Sequence, residues 1–279
     1  MPTREPGARP HGSDPARTSA ALIAAADRSA QGVAAHDRDG WVGLFTVDGA
    51  VEDPVGSRPH RYRAQIERFY DTFIGPRDII FHRHLDVVAG SSVLRDVTLE
   101  VHMGPSVTMM IPAYLRYDLD DRLNIARLQA FWELPAMVWR FARNGPGAVP
   151  VGLALVRAVL RNQGLLGAVG FLAGFRGVGR RGKRHLTGLL ADASAGDELA
   201  VKRRIGDTGH LTSGDTERLA TSEFVALLAG ARWDGMIAAG SFVVTRVTTT
   251  DRRFLLVGEF DAHPMRIRTV RVFADDAAA

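Results

Sequence analysis

A carboxylate at the end of a short apolar strand is the group in this chain best placed to move a proton. Asp53 closes the run Val51-Glu52-Asp53-Pro54-Val55-Gly56-Ser57, and a second apolar run, Leu128-Gln129-Ala130-Phe131-Trp132, could fold over it. A carboxylate in apolar surroundings titrates higher than one in water and can serve as a base toward carbon acids. Alternation along the strand turns Glu52 to the other side, where it is expected to be solvated. The plainer reading of Asp53 is a turn starter before Pro54. A second set of polar groups, His82, His84 and Asp86, has the spacing of one strand face. Two imidazoles and a carboxylate there could meet a metal. The simpler reading is a polar sheet face shared with Asp96, Glu100 and His102, so no metal and no cofactor is expected.

Positioning Asp53 requires helices and a sheet. Residues 18–36 are Ala-rich with helical apolar spacing, 37–45 read as a second short helix, and 50–53 as a strand. In residues 65–74, Ile66, Phe69, Tyr70 and Phe73 form one buried helical stripe. Strands are expected over 79–88, 92–103, 107–117 and 125–132, with Val97, Leu99, Val101 and Met103 alternating against Thr98, Glu100 and His102. Helices followed by consecutive strands imply an α+β unit, a curved antiparallel sheet wrapped round helices.

The chain divides into a disordered lead-in (1–15), a first domain (16–143), an apolar Gly-rich helical linker with a basic end (144–184) and a second domain (185–275). Residues 197–204 and 221–229 read as helices there, and 233–247, 253–260 and 265–273 as strands. The element order repeats that of the first domain, which suggests a tandem whose second copy is degenerate. Its counterpart of the Asp53 turn is Leu211-Thr212-Ser213-Gly214-Asp215.

Composition narrows the chemistry. The 279 residues contain no cysteine, which removes disulfides, thiolate catalysis and Cys-ligated zinc. Together with a polar N-terminus lacking an apolar signal core, this suggests the cytoplasm. The net charge of +4 includes a basic run at 176–184. No aromatic residue interleaves with it, so nucleic acid is not an expected partner and a solvated linker is the simpler reading. Its glycines match the letters of a dinucleotide fingerprint but lack a preceding strand. The apolar run within the linker is too short to span a bilayer. Packing between the domains is expected of it, and residues 149–184 would at most touch a membrane surface weakly.

The stretch from Asp48 to Tyr70 and the run Leu128 to Trp132 resemble bacterial ketosteroid isomerases, within the superfamily of nuclear transport factor 2-like folds. That superfamily also holds SnoaL-type polyketide cyclases and epoxide hydrolases. The resemblance covers about residues 20–135. It implies a conical α+β barrel that pairs through its sheet, so a tandem pseudo-dimer or a homodimer is expected. It places the family's general base on Asp53, with a small apolar or polycyclic ligand such as a steroid as substrate. The implied pocket comprises Ser29, Phe45, Phe69, Tyr70, Val97, Leu99, Val101, Ala113, Leu128 and Trp132. The family's oxyanion hole pairs a tyrosine with a protonated aspartate. Those positions fall on Ser29 and Ala113, so both donors are replaced. Three functions follow: a ketosteroid isomerase-like enzyme, a cyclase or epoxide hydrolase, or a binding protein without chemistry.

Overall fold

The computed structural model describes residues 18–104, 107–143, 145, 148–172, 175 and 177–274. The lead-in expected over 1–15 and Arg176 of the basic run lie outside them. The first unit opens with α1 (Ser19–Ala34), capped by the Thr18 hydroxyl, and α2 (Arg38–Gly43), capped by the Asp37 carboxylate. Then come β1 (Phe45–Glu52), β2 (His60–Arg61), α3 (Tyr62–Phe69), which runs on into a π-helical turn (Tyr70–Ile74), β3 (Asp78–Ala89), β4 (Ser92–Gly104), β5 (Val107–Leu119) and β6 (Ile125–Phe131). The sheet order is β2-β1-β6-β5-β4-β3.

The sheet is mixed, not wholly antiparallel as expected, because β1 and β6 run parallel. A parallel pair needs a long crossover, and the helices and hairpins between β1 and β6 supply it. The inner face and the helices enclose a core that includes Leu22, Trp41, Val51, Ile66, Phe69, Val97, Ala113, Tyr117 and Leu128.

The β3–β4 register shifts between Arg83 and Leu85. One extra residue flips the side-chain parity beyond it. His82 therefore faces out to Glu100 at 2.8 Å and His84 to Thr98 at 2.9 Å, while Asp86 turns inward to Arg95 at 2.7 Å. The three residues read as sharing one face are thus split between two. Among the described residues no group of three acids or histidines is close enough to hold a metal.

After α4 (Leu134–Ala142) and α5 (Ala148–Leu172), the second unit repeats the first. It comprises α6 (Gly179–Ser194), α7 (Glu198–Ile205), β7 (His210–Ser213), β8 (Glu217–Arg218), α8 (Thr221–Leu227), β9 (Arg232–Ala239), β10 (Phe242–Thr248), β11 (Arg253–Ala262) and β12 (Met265–Phe273). Its sheet order, β8-β7-β12-β11-β10-β9, is that of the first unit element for element, with β7 and β12 parallel. The helix-pair corners also match. In the first, Asp37 N–H donates to Gly32 O at 3.0 Å and His36 has φ 52°. In the second, Asp197 N–H donates to Asp192 O at 2.9 Å and Gly196 has φ 81°.

Two sequence boundaries change. The strand expected over 233–247 is a hairpin, because Gly240 (φ 54°) and Ser241 form a tight turn between β9 and β10. The basic end of the linker is the first turns of α6, where Lys183 pairs with Glu133.

The outer faces of the two sheets pack together. Val87, Leu94, Tyr114 and Phe131 meet Ile237, Val244, Leu255, Val257 and Phe273 in one cluster. At its edges Arg116 grips Asp215 with two bonds of 2.9 and 2.7 Å, and Arg246 pairs with Asp96. The Tyr114 hydroxyl donates to Gly235 O at 3.0 Å and accepts from Arg246 N–H at 3.1 Å. The chain therefore holds two α+β units joined sheet to sheet.

Candidate functional site

The Asp53 carboxylate sits where β1 leaves the sheet, its side chain on the same inner side as Val51. Its Oδ1 accepts a hydrogen bond from the Trp132 indole at 2.5 Å, just beyond the end of β6. Glu52 points the other way, as alternation requires. It is bonded and not solvated, accepting from Gly56 N–H at 3.0 Å and Gln129 Nε2 at 2.8 Å. These bonds fix the Pro-Gly turn and so the direction in which Asp53 leaves the strand.

Asp53 opens onto a cavity of about 110 Å³. The sheet contributes Ile79, Leu99, Val101, Met103 and Ile111, and the helical side Phe69 and Phe73. Met137 of α4 and Leu155 of α5 close its mouth. Burial in this lining pushes the Asp53 carboxyl up to about 6, against the opposing effect of the Trp132 hydrogen bond. That range suits a base working near neutrality. Replacing Trp132 with Phe removes the donor that favours the charged form. The Asp53 pKa is then expected to rise above its present value, and the acid limb of any pH–rate profile to move to higher pH. An unmoved limb would show that the indole does not tune the carboxylate.

Arg77 is the cation in the lining, and the sequence reading missed it. Its guanidinium donates to the Thr72 and Phe73 carbonyls of the π-helical turn, both at 2.8 Å. Burial lowers its pKa. No ion pair joins Arg77 to Asp53. The signal available beforehand was a basic residue just past the helix-ending Gly75-Pro76.

Of the ten pocket positions and Asp53 named from sequence, the structure brings Asp53, Phe69, Leu99, Val101 and Trp132 round this cavity. The others sit elsewhere in the core. Ser29 accepts from the Trp41 indole at 3.0 Å and shares a hydrogen bond with Tyr117. Phe45 packs on Trp41 at 4.8 Å. Tyr70 also packs on Trp41, and its buried hydroxyl, beside Asp37 and Arg38, has no hydrogen-bond partner among the described residues. Burial is the main cause that raises the Tyr70 pKa. Val97, Ala113 and Leu128 are core residues under the helices. Trp41 is the reason for much of this: its indole and ring occupy the space between α1 and β1 that Ser29, Phe45 and Tyr70 would need to reach a ligand.

The helix expected to pack between the units instead lies across the first. Val151 of α5 approaches Gly104 at the β4–β5 hairpin, where a Cβ on the glycine would come within 3.1 Å. Near the other end, Arg58 N–H donates to Gly170 O at 3.2 Å. In the second unit the turn that corresponds to Asp53 carries Ser213 and Gly214, and Asp215 is drawn outward to Arg116. Its interior is filled by buried residues such as Phe224, Phe254 and Phe260.

A cone of helices on a curved mixed sheet, with a carboxylate at the edge of an apolar cavity, defines the first unit as an α+β fold with an internal cavity. Residues 24–138 match the Nuclear transport factor 2 (NTF2) domain family, so this part of the chain is a nuclear transport factor 2-like domain. Several solved structures resemble it. A Δ5-3-ketosteroid isomerase from Mycobacterium sp. is 28% identical, over 42% of this chain and 95% of that one, with a TM-score of 0.39. A Mycobacterium tuberculosis protein solved with estradiol-17beta-hemisuccinate is 20% identical, over 41% and 95%, at 0.39. The epoxide hydrolase/cyclase-like enzyme SalBIII of salinomycin pyran-ring formation is 21% identical, over 41% and 92%, at 0.38. No curated protein matches the chain significantly. Among the described residues no helix is long and apolar enough to cross a membrane.

Proposed function

We propose that the first unit binds an apolar, carbonyl-bearing ligand of steroid-like or polycyclic kind and moves a proton next to the carbonyl. The observation that carries this reading is Asp53: a carboxylate held by an indole in an apolar cavity, poised near pH 6 and in no ion pair among the described residues. In the proposed step the Asp53 carboxylate takes a proton from the carbon between the carbonyl and a β,γ double bond. The electron pair moves onto the ketone oxygen as a dienolate. Asp53 then returns the proton at the γ carbon, and the carbonyl re-forms as a conjugated enone. Arg77 takes the role of the two missing oxyanion donors by facing the developing charge.

At about 110 Å³ the cavity is smaller than the roughly 300–1,000 Å³ of sites for drug-sized ligands. Ligand entry therefore involves Met137 and Leu155, the side chains that α4 and α5 send over the mouth. Epoxide hydrolysis or cyclisation is supported less, because opening an epoxide asks for an acid beside the base. Among the described lining residues there is one carboxylate, and a guanidinium such as that of Arg77 is not a proton donor. The reading without chemistry is favoured by one observation: none of the described lining residues carries a hydroxyl.

Conversion of a β,γ-unsaturated 3-ketosteroid, followed by enone absorbance, separates these readings. Turnover is expected, with Arg77→Met lowering kcat by about 10²-fold, as for loss of one oxyanion donor. Arg77→Lys should restore part of kcat, which a purely structural loss at the π-helical turn would not allow. Saturable binding of the steroid without turnover would replace the enzymatic reading with a carrier.

A further inference from the structure

The outward side of α5 carries an apolar stripe that no described residue covers. Val149, Leu153, Val156 and Leu160 are 43–60% exposed. Their spacing of four, three and four residues places them within about 60° of one another round the helix, at 100° per residue. Val138 and Trp139 extend the exposed apolar surface onto α4, where the Arg143 guanidinium lies 4.7 Å from the Trp139 ring centre. Arg157 and Arg161 flank the stripe on the side away from the packed face.

Charge selects the occupant. Between Glu133 and Asp192 the sequence has nine lysines and arginines and no acid. With a chain total of +4, everything outside that segment sums to −5. A second copy seated on this face would set like charge against like. A nucleic acid would leave the aliphatic stripe unsatisfied. An anionic lipid surface meets both halves of the pattern, taking the stripe and the indole at the headgroup boundary and the arginines against its phosphates.

We propose that the outer face of α4 and α5 docks on an anionic phospholipid membrane, the helices lying in its plane. The opposite side of α5 sends Leu155 into the Asp53 cavity, so the docked face and the cavity mouth are two sides of one helix. The docking itself does not depend on what Asp53 does.

Flotation of the full chain with phosphatidylcholine vesicles, with and without phosphatidylglycerol, tests this. The bound fraction is expected to rise about tenfold or more with the anionic lipid, the effect of a few basic side chains near such a surface, and to fall with added salt. Leu153→Glu with Leu160→Glu should abolish binding. Arg157→Gln with Arg161→Gln should remove the preference for anionic vesicles. Both pairs are solvent-facing, and circular dichroism establishes that each is folded; if the Glu pair fails to fold, the Gln pair decides. Absence of wild-type binding, or binding unchanged in the folded variants, overturns the proposal. So does a sedimentation shift from dimer to monomer in the Glu pair without vesicle binding, which would assign the face to a second copy. The readout is lipid binding alone, so its failure would leave the reading of Asp53 untouched.

Discussion

Replacing Asp53 with Asn is expected to cost activity and to gain stability at the same time. The kinetic half follows from the general base, whose removal typically lowers the rate by 10²–10⁴-fold. Asn keeps the size of the side chain and can still accept from the Trp132 indole, so the cavity is retained. The stability half follows from the pKa. Folding raises the Asp53 carboxyl from 3.8 to about 6, so the folded state resists its ionisation. Below about pH 4 the group is protonated folded and unfolded, and its stability contribution is fully present. As pH rises from about 4 to 6 the unfolded chain ionises first, and that contribution is lost. At 1.36 kcal/mol per pKa unit the loss approaches about 3 kcal/mol at neutral pH, less a discount for the solvent Asp53 still meets. Asn carries no such penalty. Urea unfolding at pH 4 and pH 8 should show the two proteins converging at the lower pH, with the variant ahead at the higher. Equal midpoints at both would refute the buried-base description. A stable variant that turns over ketosteroid as the wild type does would remove Asp53 from the chemistry.

The largest loss of stability is expected at Arg95. Its side chain is 2% exposed and gives Asp86 two bonds, at 2.7 and 2.9 Å, and Asp27 one of 2.6 Å. This ties α1 to β3 and β4 through the interior. Arg95→Met leaves the Asp86 carboxylate buried, with the exposed Arg83 at 3.1 Å as its remaining cation among the described residues. Stranding one charge of a buried pair costs about 3–5 kcal/mol. The double variant Arg95→Met, Asp86→Leu should recover most of that, because no unpaired charge remains. If the single change costs under about 1 kcal/mol by urea unfolding, the ion pair is not what anchors α1.

How far the sequence could be read follows the reach of each physical signal. The α1 and α3 stripes and the β4 alternation were legible because period and burial agree along a single element. The place of Asp53 was legible because a strand end and a Pro-Gly turn are local. His82, His84 and Asp86 misled because a bulge is decided by the partner strand, which no spacing within β3 reveals. Ser29 and Tyr70 misled for a related reason: Trp41, twelve residues from Ser29, claims the space between them and the cavity. Arg77 and α5 were missed as parts of the site because their positions depend on carbonyls and a cone mouth set by other elements. The repeat was weak in words and clear in order. The corners at Asp37 and Asp197 share a helix cap and a left-handed residue, yet that residue is His in one and Gly in the other.

The sheet-to-sheet junction has one further consequence. Two cones on one polypeptide associate as an intramolecular event, at an effective concentration set by the segment that carries α4 and α5. Their union is first-order, so dilution does not part them. A second cone held this way is also relieved of matching the first in its interior, since the pair is not built from identical halves. Phe224, Phe254 and Phe260 can fill that interior while the outer face still meets Tyr114 and Phe131.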